Sequence, residues 1–233
     1  MTLASAVPHA TLQANKRLLR KSVSAACNAL QPPVIQAQSK EITARVLALP
    51  AFQASKSVSC YLSMPTGEVD TSSLVLEILR AGKSLFVPKI DKAAGRMDFL
   101  RVYDEEDLRS LAPGTWGISE PAETYKDGRR TNIQDQDSQP LDIILMPGVA
   151  FDRSLSRVGH GKGYYDKFIA SYTDTGRPTP TLVGLALSEQ FLLAAEIPMG
   201  EHDWPVHFVA TPDEVFSSKE PGVEQGTAAE AAN

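Results

Sequence analysis

Short apolar runs of strand length stand at 57–62, 84–88, 141–145 and 181–187 of the chain. The stretches between them place apolar residues every three or four positions, which is the spacing of amphipathic helices. Strands that alternate with helices in this way favour a parallel sheet with helices on both faces. We therefore expect an α/β fold, a single-domain three-layer α/β/α arrangement with a mostly parallel central sheet.

Composition suggests where this domain begins and ends. Residues 1–10 and 217–233 lack a sustained apolar period, and the second of these is rich in Gly, Ala, Glu and Ser. Such segments cannot bury enough apolar surface to fold, so we expect both ends to be disordered. The α/β domain then occupies residues 11–216.

Several elements inside the domain are less regular. Met97–Val102 is expected to be an antiparallel strand, and the carboxylate run from Asp104 to Asp107 is expected to cap a short helix. The polar stretch from Glu123 to Pro140 predicts a mobile surface loop. A short helix is expected from Gln190 to Ala195.

Charge and cysteine usage exclude some classes of protein. The 233 residues carry a formal net charge of −5, which argues against broad binding to nucleic acid or a membrane surface. No apolar run is long enough to span a bilayer. Cys27 and Cys60 cannot form a disulfide framework, and we expect buried free thiols in a reducing compartment.

The strongest candidate chemistry lies in the stretch that follows the apolar run 141–145. A loop is expected there, and then a helix from Tyr164 to Tyr172 with an apolar face. A glycine-rich loop at a helix N-terminus can present backbone N–H groups and a positive dipole to an anion. Three alternate glycines precede this helix: Gly159, Gly161 and Gly163.

Charged residues within the same stretch extend the hypothesis. Arg157 and Lys162 supply positive charge, and Asp166, one turn into the helix, is suited to a divalent metal. The pattern fits polyphosphate with magnesium, although an ordinary tight turn remains the alternative. It matches neither the Walker A spacing nor GxGxxG, so the sheet is expected to be Rossmann-like but not dinucleotide-binding.

Further candidates lie outside this stretch. Lys16 and Arg20 are four positions apart and share one face of the first helix, where a solvated basic surface is the alternative. Glu68 follows the strand 57–62, at the sheet edge where ligands gather. Trp116 stands in a Pro- and Gly-rich loop, either as a core residue or as a stacking surface for a flat ring.

The sequence pattern PGVAFD…R.G.GKGYYD closely resembles the signature of the 5-formyltetrahydrofolate cyclo-ligase family, also called 5,10-methenyltetrahydrofolate synthetases. The resemblance runs from about Lys16 to Thr211 and includes KRLLRK, YLSM…E, the TWGI loop and the closing EHD segment. It implies a domain that binds ATP, magnesium and 5-formyltetrahydrofolate. The implied products are 5,10-methenyltetrahydrofolate, ADP and phosphate.

The resemblance also implies roles for individual residues. The ATP-binding residues would be Lys16, Arg17, Arg20, Arg157, His160, Gly161, Lys162, Gly163, Tyr164 and Tyr165. The folate substrate would contact Arg20, Leu62, Glu68, Trp116, His160, Lys162 and Tyr164. Magnesium would be held by Asp166 and Asp203. For the two tyrosines, ordinary packing of the helix face is the alternative.

Two positions depart from the pattern of many relatives. His160 stands where Arg or Tyr is common, and His207 stands where Asp is frequent. If His160 meets phosphate, nucleotide binding should strengthen as the imidazole gains charge near its reference pKa of ~6.5. The departures leave the proposed phosphate and metal residues in place.

The implied reaction needs no serine or cysteine nucleophile, because phosphoryl transfer depends mainly on positioning and charge neutralisation. Other functions stay open, namely a folate-binding protein without turnover or a related enzyme acting on another formamide. A dinucleotide-dependent oxidoreductase is a weaker hypothesis. It would need the pattern GxGxxG in the first β–α turn, and that turn reads SMPTGEVDT here. We expect a monomer with no nucleic-acid or membrane partner.

Cytoplasm is the expected location. The segment before Glu41 contains basic residues and no acidic ones, which is a faint sign of mitochondrial targeting. The resemblance, however, begins at Lys16 and leaves only the first residues for a targeting signal.

Overall fold

The structure is a computed structural model that describes residues 9–114 and 117–218. Its helices are α1 His9–Asn28, α2 Pro32–Ala48, α3 Pro50–Ala54, α4 Ser72–Arg80, α5 Glu105–Ser110 and α6 Tyr164–Asp174. Its strands are β1 Ser57–Cys60, β2 Ser84–Asp91, β3 Arg96–Val102, β4 Ala112–Pro113, β5 Ser119–Glu120, β6 Thr124–Tyr125, β7 Gly128–Arg129, β8 Ile143–Met146, β9 Ala150–Asp152, β10 Arg157–Val158, β11 Thr181–Leu185, β12 Phe191–Leu192, β13 Phe208–Ala210 and β14 Val215–Ser217.

Seven strands form the central sheet in the order β14-β13-β11-β8-β1-β2-β3. The five inner strands are parallel, and β3 and β14 are antiparallel edges, which confirms the predicted fold class. In chain order the parallel strands are arranged 2-1-3-4-5, the flavodoxin-like doubly wound order. The order reverses between β1 and β8, and such a switch point is where these sheets bind ligands.

The sheet is buried on both faces, because successive side chains of a strand point to opposite sides. In β8, Ile143 and Leu145 join a core with α2, α3 and α4. Ile144 and Met146 join a second core, to which α6 contributes Phe168. Burial of both faces explains why the sequence of β8 is a continuous apolar run rather than an alternating one.

Helix α1 packs on a smaller sheet rather than on the central one. This sheet has the order β10-β9-β12. Val23 and Cys27 of α1 pack against Val149 and Val158 in a third core. Cys27 is a buried free thiol, as is Cys60 in β1, which confirms the predicted burial of both thiols.

Most residues from Glu123 to Pro140 lie at the surface, as predicted, but the segment is more regular than the expected loop. The segment contains the β6–β7 hairpin, and Ile133 is fully buried. The backbone N–H of Ile133 donates to the carbonyl of Phe99 in β3 at 2.9 Å. The polar composition of the segment gave no signal of the few buried residues that join it to the sheet.

The expected helix from Gln190 to Ala195 is also absent from the structure. A single 3-10 turn, Ser188–Gln190, leads into β12, which pairs in parallel with β9. The buried Gln190 side chain accepts from the backbone N–H of Leu187 at 3.0 Å, which closes the turn, and donates to the carbonyl of Gly148 at 2.7 Å. The loop expected after β8 likewise contains the β9–β10 hairpin.

The ends of the described fold differ slightly from the predicted domain. Helix α1 begins at His9, before the predicted start at residue 11, and β14 ends at Ser217. The rest of both ends, for which disorder was predicted, lies outside the described residues. In the part of the chain that the structure describes, no helix has the length and apolarity needed to cross a membrane.

Candidate active site

A cavity of about 660 Å³ opens at the carboxyl ends of β1 and β8. Tyr61 and Leu62, just after β1, line it together with Pro147, which follows β8. The cavity therefore occupies the switch point of the parallel sheet. Helix α1 reaches the same cavity with Lys16 and Arg20, one helical turn apart.

The predicted glycine loop forms one wall of this cavity. Gly161 and Gly163 have φ values of +94° and +65°, in the left-handed region that glycine tolerates. A Cβ atom on Gly161 would stand 3.4 Å from the Arg20 guanidinium carbon. The Nε of Arg20 donates to the carbonyl of Gly159 at 2.7 Å. The α1 helix and the loop are thus joined by a cation that itself faces the cavity.

Both predicted metal ligands lie in this cavity, and each is paired with a cation. Lys16 donates to Oδ2 of Asp203, and Nη2 of Arg157 donates to Oδ2 of Asp166 at 3.0 Å. The backbone N–H of Trp204, the residue after Asp203, donates to Oδ1 of Asp166 at 3.1 Å. This bond brings the two carboxylates into one neighbourhood.

Another part of the wall is apolar and contains a single buried carboxyl group. Glu68 is 6% exposed, and its Oε1 accepts a hydrogen bond of 2.6 Å from the backbone N–H of Met64. Burial raises the pKa of Glu68 to about 7, and that hydrogen bond opposes the shift. The apolar residues of this wall are Tyr61, Leu62, Met64, Pro88, Ile90, Met97 and Ile118.

His160 in the loop faces two guanidinium groups. Loss of solvent lowers the pKa of its imidazole below 6.5, and the charges of Arg20 and Arg157 lower it further. The imidazole is therefore mostly neutral at pH 7 in the ligand-free protein. The pKa of His207 is also lowered by burial, and its Nδ1 accepts a hydrogen bond of 2.8 Å from the backbone N–H of Leu182.

Two residues that line this cavity each contain a buried polar atom without a partner. Within residues 9–114 and 117–218, the Tyr165 hydroxyl and the Nε of Arg157 are buried without hydrogen-bond partners. Most buried polar groups in proteins have partners, so these two atoms are exceptions.

The structure collects most of the predicted site residues in this one cavity. They are Lys16, Arg20, Leu62, Glu68, Arg157, His160, Gly161, Lys162, Gly163, Tyr164, Tyr165, Asp166 and Asp203. Arg17 is not among them, because it lies on an exposed face of α1. Trp116 lies outside the described residues.

The sequence did not single out the β2–β3 hairpin as part of the site. Pro88 and Ile90 lie two positions apart on β2, and Met97 stands directly opposite Ile90 on β3. The alternation along β2 was the available signal, because residues two apart share a face. Other lining residues that went unpredicted are Gln13, Lys92, Glu120, Pro147 and Val158.

The model of the 5-formyltetrahydrofolate cyclo-ligase family matches residues 12–212. This chain therefore belongs to that family of ligases, as the sequence resemblance implied. It is 35% identical to a probable 5-formyltetrahydrofolate cyclo-ligase of Schizosaccharomyces pombe, over 86% of this chain and 97% of that protein. It is 32% identical to an Arabidopsis thaliana protein named as the mitochondrial enzyme, over 86% of this chain and 75% of that protein.

A solved structure shares the fold. The 5,10-methenyltetrahydrofolate synthetase of Aquifex aeolicus superposes with a TM-score of 0.69 at 30% sequence identity. The match covers 92% of this chain and 99% of that protein. The likeness extends over nearly the whole α/β domain.

Proposed function

We propose that this protein is an ATP- and magnesium-dependent 5-formyltetrahydrofolate cyclo-ligase that releases 5,10-methenyltetrahydrofolate, ADP and phosphate. The observation that carries the proposal is the composition of the cavity at the switch point. One part of its wall is a cationic glycine loop, and another is apolar with one buried carboxyl group. Membership of the cyclo-ligase family supports the same reaction.

The cationic wall is suited to the phosphates of ATP. Lys16, Arg20, Arg157 and Lys162 line the cavity together with Gly161 and Gly163. Transfer of a phosphoryl group needs its oxygens held and their charge neutralised, rather than a covalent catalyst. Arginine binds phosphate through paired N–H groups and lysine binds it as a point charge, so this set meets the requirement.

The carboxylates of Asp166 and Asp203 fit a magnesium ion. Mg²⁺ prefers oxygen ligands and is commonly bound through one or two carboxylates together with the phosphates of a substrate. Both side chains line the cavity that contains the phosphate-binding candidates. When bound there, magnesium would neutralise charge on the phosphate oxygens.

The apolar wall is suited to the folate ring system. A pterin is flat and carries N–H donors along one edge, so a carboxylate such as Glu68 can accept hydrogen bonds from it. Leu62 lines the same part of the cavity, and Tyr164 faces it from the start of α6. A contact with Trp116 stays a prediction from the sequence.

The chemistry follows from the weakness of a formamide as an electrophile. The formyl oxygen attacks the γ-phosphorus of ATP, an O–P bond forms, and ADP leaves with the electrons of the broken bond. The nitrogen at position ten then attacks the formyl carbon, loses its proton and closes the ring, and the C–O electrons leave with phosphate. In the proposed enzyme Lys16, Arg157 and Lys162 orient the phosphates, while Glu68 orients the folate.

Absorbance in the methenyl-folate band tests the proposal, with 5-formyltetrahydrofolate, magnesium and ATP present. We expect a rise that requires ATP, falls strongly in Lys162→Ala and persists in Lys21→Ala. Lys21 is the matched control, since it is exposed on α1 and does not line the cavity. No rise with folate still bound would indicate a non-catalytic binder, and no binding would indicate another formamide substrate.

The assembly state and location stay predictions, namely a monomer in the cytoplasm. A mitochondrial location is the alternative, because the matched Arabidopsis thaliana relative carries that designation.

A further inference from the structure

The two proposed metal ligands are each occupied by a proposed phosphate ligand. Lys16 bonds to Asp203, and Arg157 bonds to Asp166. Both cations are buried, at 4% exposure for Lys16 and 6% for Arg157. The residues suited to the metal and those suited to the phosphates therefore satisfy each other in the structure.

Because these ion pairs are buried, breaking either of them costs free energy. A largely buried charge that loses its partner is costly, because little water reaches it. A metal ion that binds alone to Asp203 would leave Lys16 without its carboxylate. A nucleotide that binds alone to Lys16 would leave Asp203 without its bonded ammonium, with Arg20 as a nearby cation. Lys16 and Asp203, like Arg157 and Asp166, therefore already neutralise each other before either ligand binds.

Backbone contacts keep the carboxylates in place independently of the cations. The N–H of Gly200 donates to Oδ2 of Asp203 at 2.6 Å, and the N–H of Trp204 donates to Oδ1 of Asp166. Both aspartates can therefore change partners without moving far. Arg20 and His160 also face this part of the cavity, and neither pairs with a carboxylate by hydrogen bond in the described residues.

We propose that Lys16 and Arg157 act as stand-in cations that occupy the metal-binding carboxylates until metal and nucleotide arrive together. On arrival the pairs exchange: the carboxylates turn to the metal, and Lys16 and Arg157 turn to the phosphates. This exchange rests on the proposed function, and it makes metal and nucleotide binding reciprocally favourable.

If the exchange occurs, Lys16 weakens the binding of metal alone and strengthens the binding of nucleotide with metal. A lysine with only a structural role would not have these opposite effects. In Lys16→Met, Asp203 loses the ammonium bonded to it while the apolar stem at position 16 is kept. We expect Mn²⁺ without nucleotide to bind about tenfold or more tightly than to wild type, because one repelling and competing charge is gone. A non-hydrolysable ATP analogue with Mn²⁺ should bind about tenfold more weakly.

The experiment measures free Mn²⁺ by electron paramagnetic resonance and nucleotide binding by calorimetry. Lys21→Met is the matched control, because it removes the same charge from an exposed position of α1. It should change neither affinity appreciably. Arg157→Met provides an independent second arm through Asp166, with the same opposite shifts expected. Circular dichroism and thermal unfolding check that each variant folds.

The outcomes separate the exchange from the proposed function. Normal nucleotide binding to wild type, with Mn²⁺ affinity unchanged in Lys16→Met and Arg157→Met, would overturn the exchange alone. An equal gain in Lys21→Met would also overturn it, since general charge would then explain the effect. Failure of wild type to bind the nucleotide with metal would overturn the proposed function and the exchange with it.

Discussion

Arg20 joins helix α1 to the glycine loop, because its Nε donates to the carbonyl of Gly159 at 2.7 Å while its guanidinium lies against Gly161. We expect Arg20→Ala to lower kcat/KM for ATP by about 10- to 100-fold, the size expected for a lost charged hydrogen bond of ~1.5–3 kcal/mol. Steady-state kinetics at varied ATP measure this loss. Arg20→Lys should recover only part of it, since lysine lacks the planar fork. Equal losses in Lys21→Ala would contradict this role.

His160 should make nucleotide binding depend on pH. Its pKa is lowered by loss of solvent and by the charges of Arg20 and Arg157, so the imidazole gains its proton only below pH 6.5. Nucleotide affinity should therefore rise as the pH falls through and below that value. His160→Arg carries a permanent charge and should lack this rise. Calorimetric titrations at several pH values compare the two proteins. A parallel pH dependence in both would assign the effect to the nucleotide's own phosphates.

Glu68 should make the stability of the ligand-free protein fall as the pH rises. Burial raises its folded-state pKa from 4.5 to about 7, so the folded protein holds this proton more tightly than the unfolded chain. The contribution is unfavourable above pH 7 and disappears below pH 4.5. At ~1.4 kcal/mol per pKa unit the difference reaches up to about 3 kcal/mol. Relative to wild type, Glu68→Gln should thus gain stability between pH 5 and pH 8, as measured by urea unfolding. A constant difference between the two proteins would disprove the linkage.

Gly184 in β11 lies directly against the ring of Phe151. A Cβ atom there would stand 2.3 Å from Cε1 of that ring, and Phe151 is fully buried. We expect Gly184→Ala to destabilise the protein by about 1–3 kcal/mol, as overpacking of a dense core does. Thermal or urea unfolding measures the loss. Addition of Phe151→Leu should recover part of it, because the two sites are in contact. Gly128→Ala, where a Cβ meets no atom within 4 Å, is the control.

Asp107 and Arg130 form a buried ion pair. Substitution of one partner should lower the stability of the protein far more than substitution of both. Their side chains are 0% and 2% exposed, and both guanidinium Nη atoms of Arg130 bond to the carboxylate. Arg130→Met leaves a buried carboxylate unpaired and should cost about 3–5 kcal/mol. The double variant with Asp107→Leu removes both charges and should be markedly more stable than the single variant. Chemical unfolding of the four proteins in a cycle measures the coupling. Additive effects would show that the pair contributes nothing specific.

The sequence predicted the parts of the fold whose signal is local. The largely apolar stretches at β1, β2, β8 and β11 identified the parallel sheet, because strands buried on both faces are mostly apolar. Asp104 caps α5 as expected, with its side chain accepting from the backbone N–H of Asp107. Asp107 itself turns inward to Arg130, which no local pattern could show, because the two residues lie far apart in the sequence.

The site residues likewise divide into those with a local signal in the sequence and those without one. Residues in the glycine loop and on α1 were found from spacing and resemblance, and the cavity brings them together. The wall made by Ile90 and Met97 was missed, because its side chains become neighbours only through the register of β2 and β3. The pairing of Lys16 with Asp203 was equally invisible, since 187 positions separate the two residues. Contacts of this kind depend on tertiary structure rather than on periodicity.

The polar segment that continues from the β6–β7 hairpin shields the long edge of the central sheet. Residues 131–133 lie along β3, with the N–H of Arg101 donating to the carbonyl of Thr131 and that of Ile133 donating to Phe99, both at 2.9 Å. The opposite edge, β14, is only three residues long. Exposed strand edges are templates on which chains aggregate, so a covered edge and a short edge protect the folded chain from self-association. A segment that contributes few residues to the core thus helps to keep the protein dispersed at high concentration.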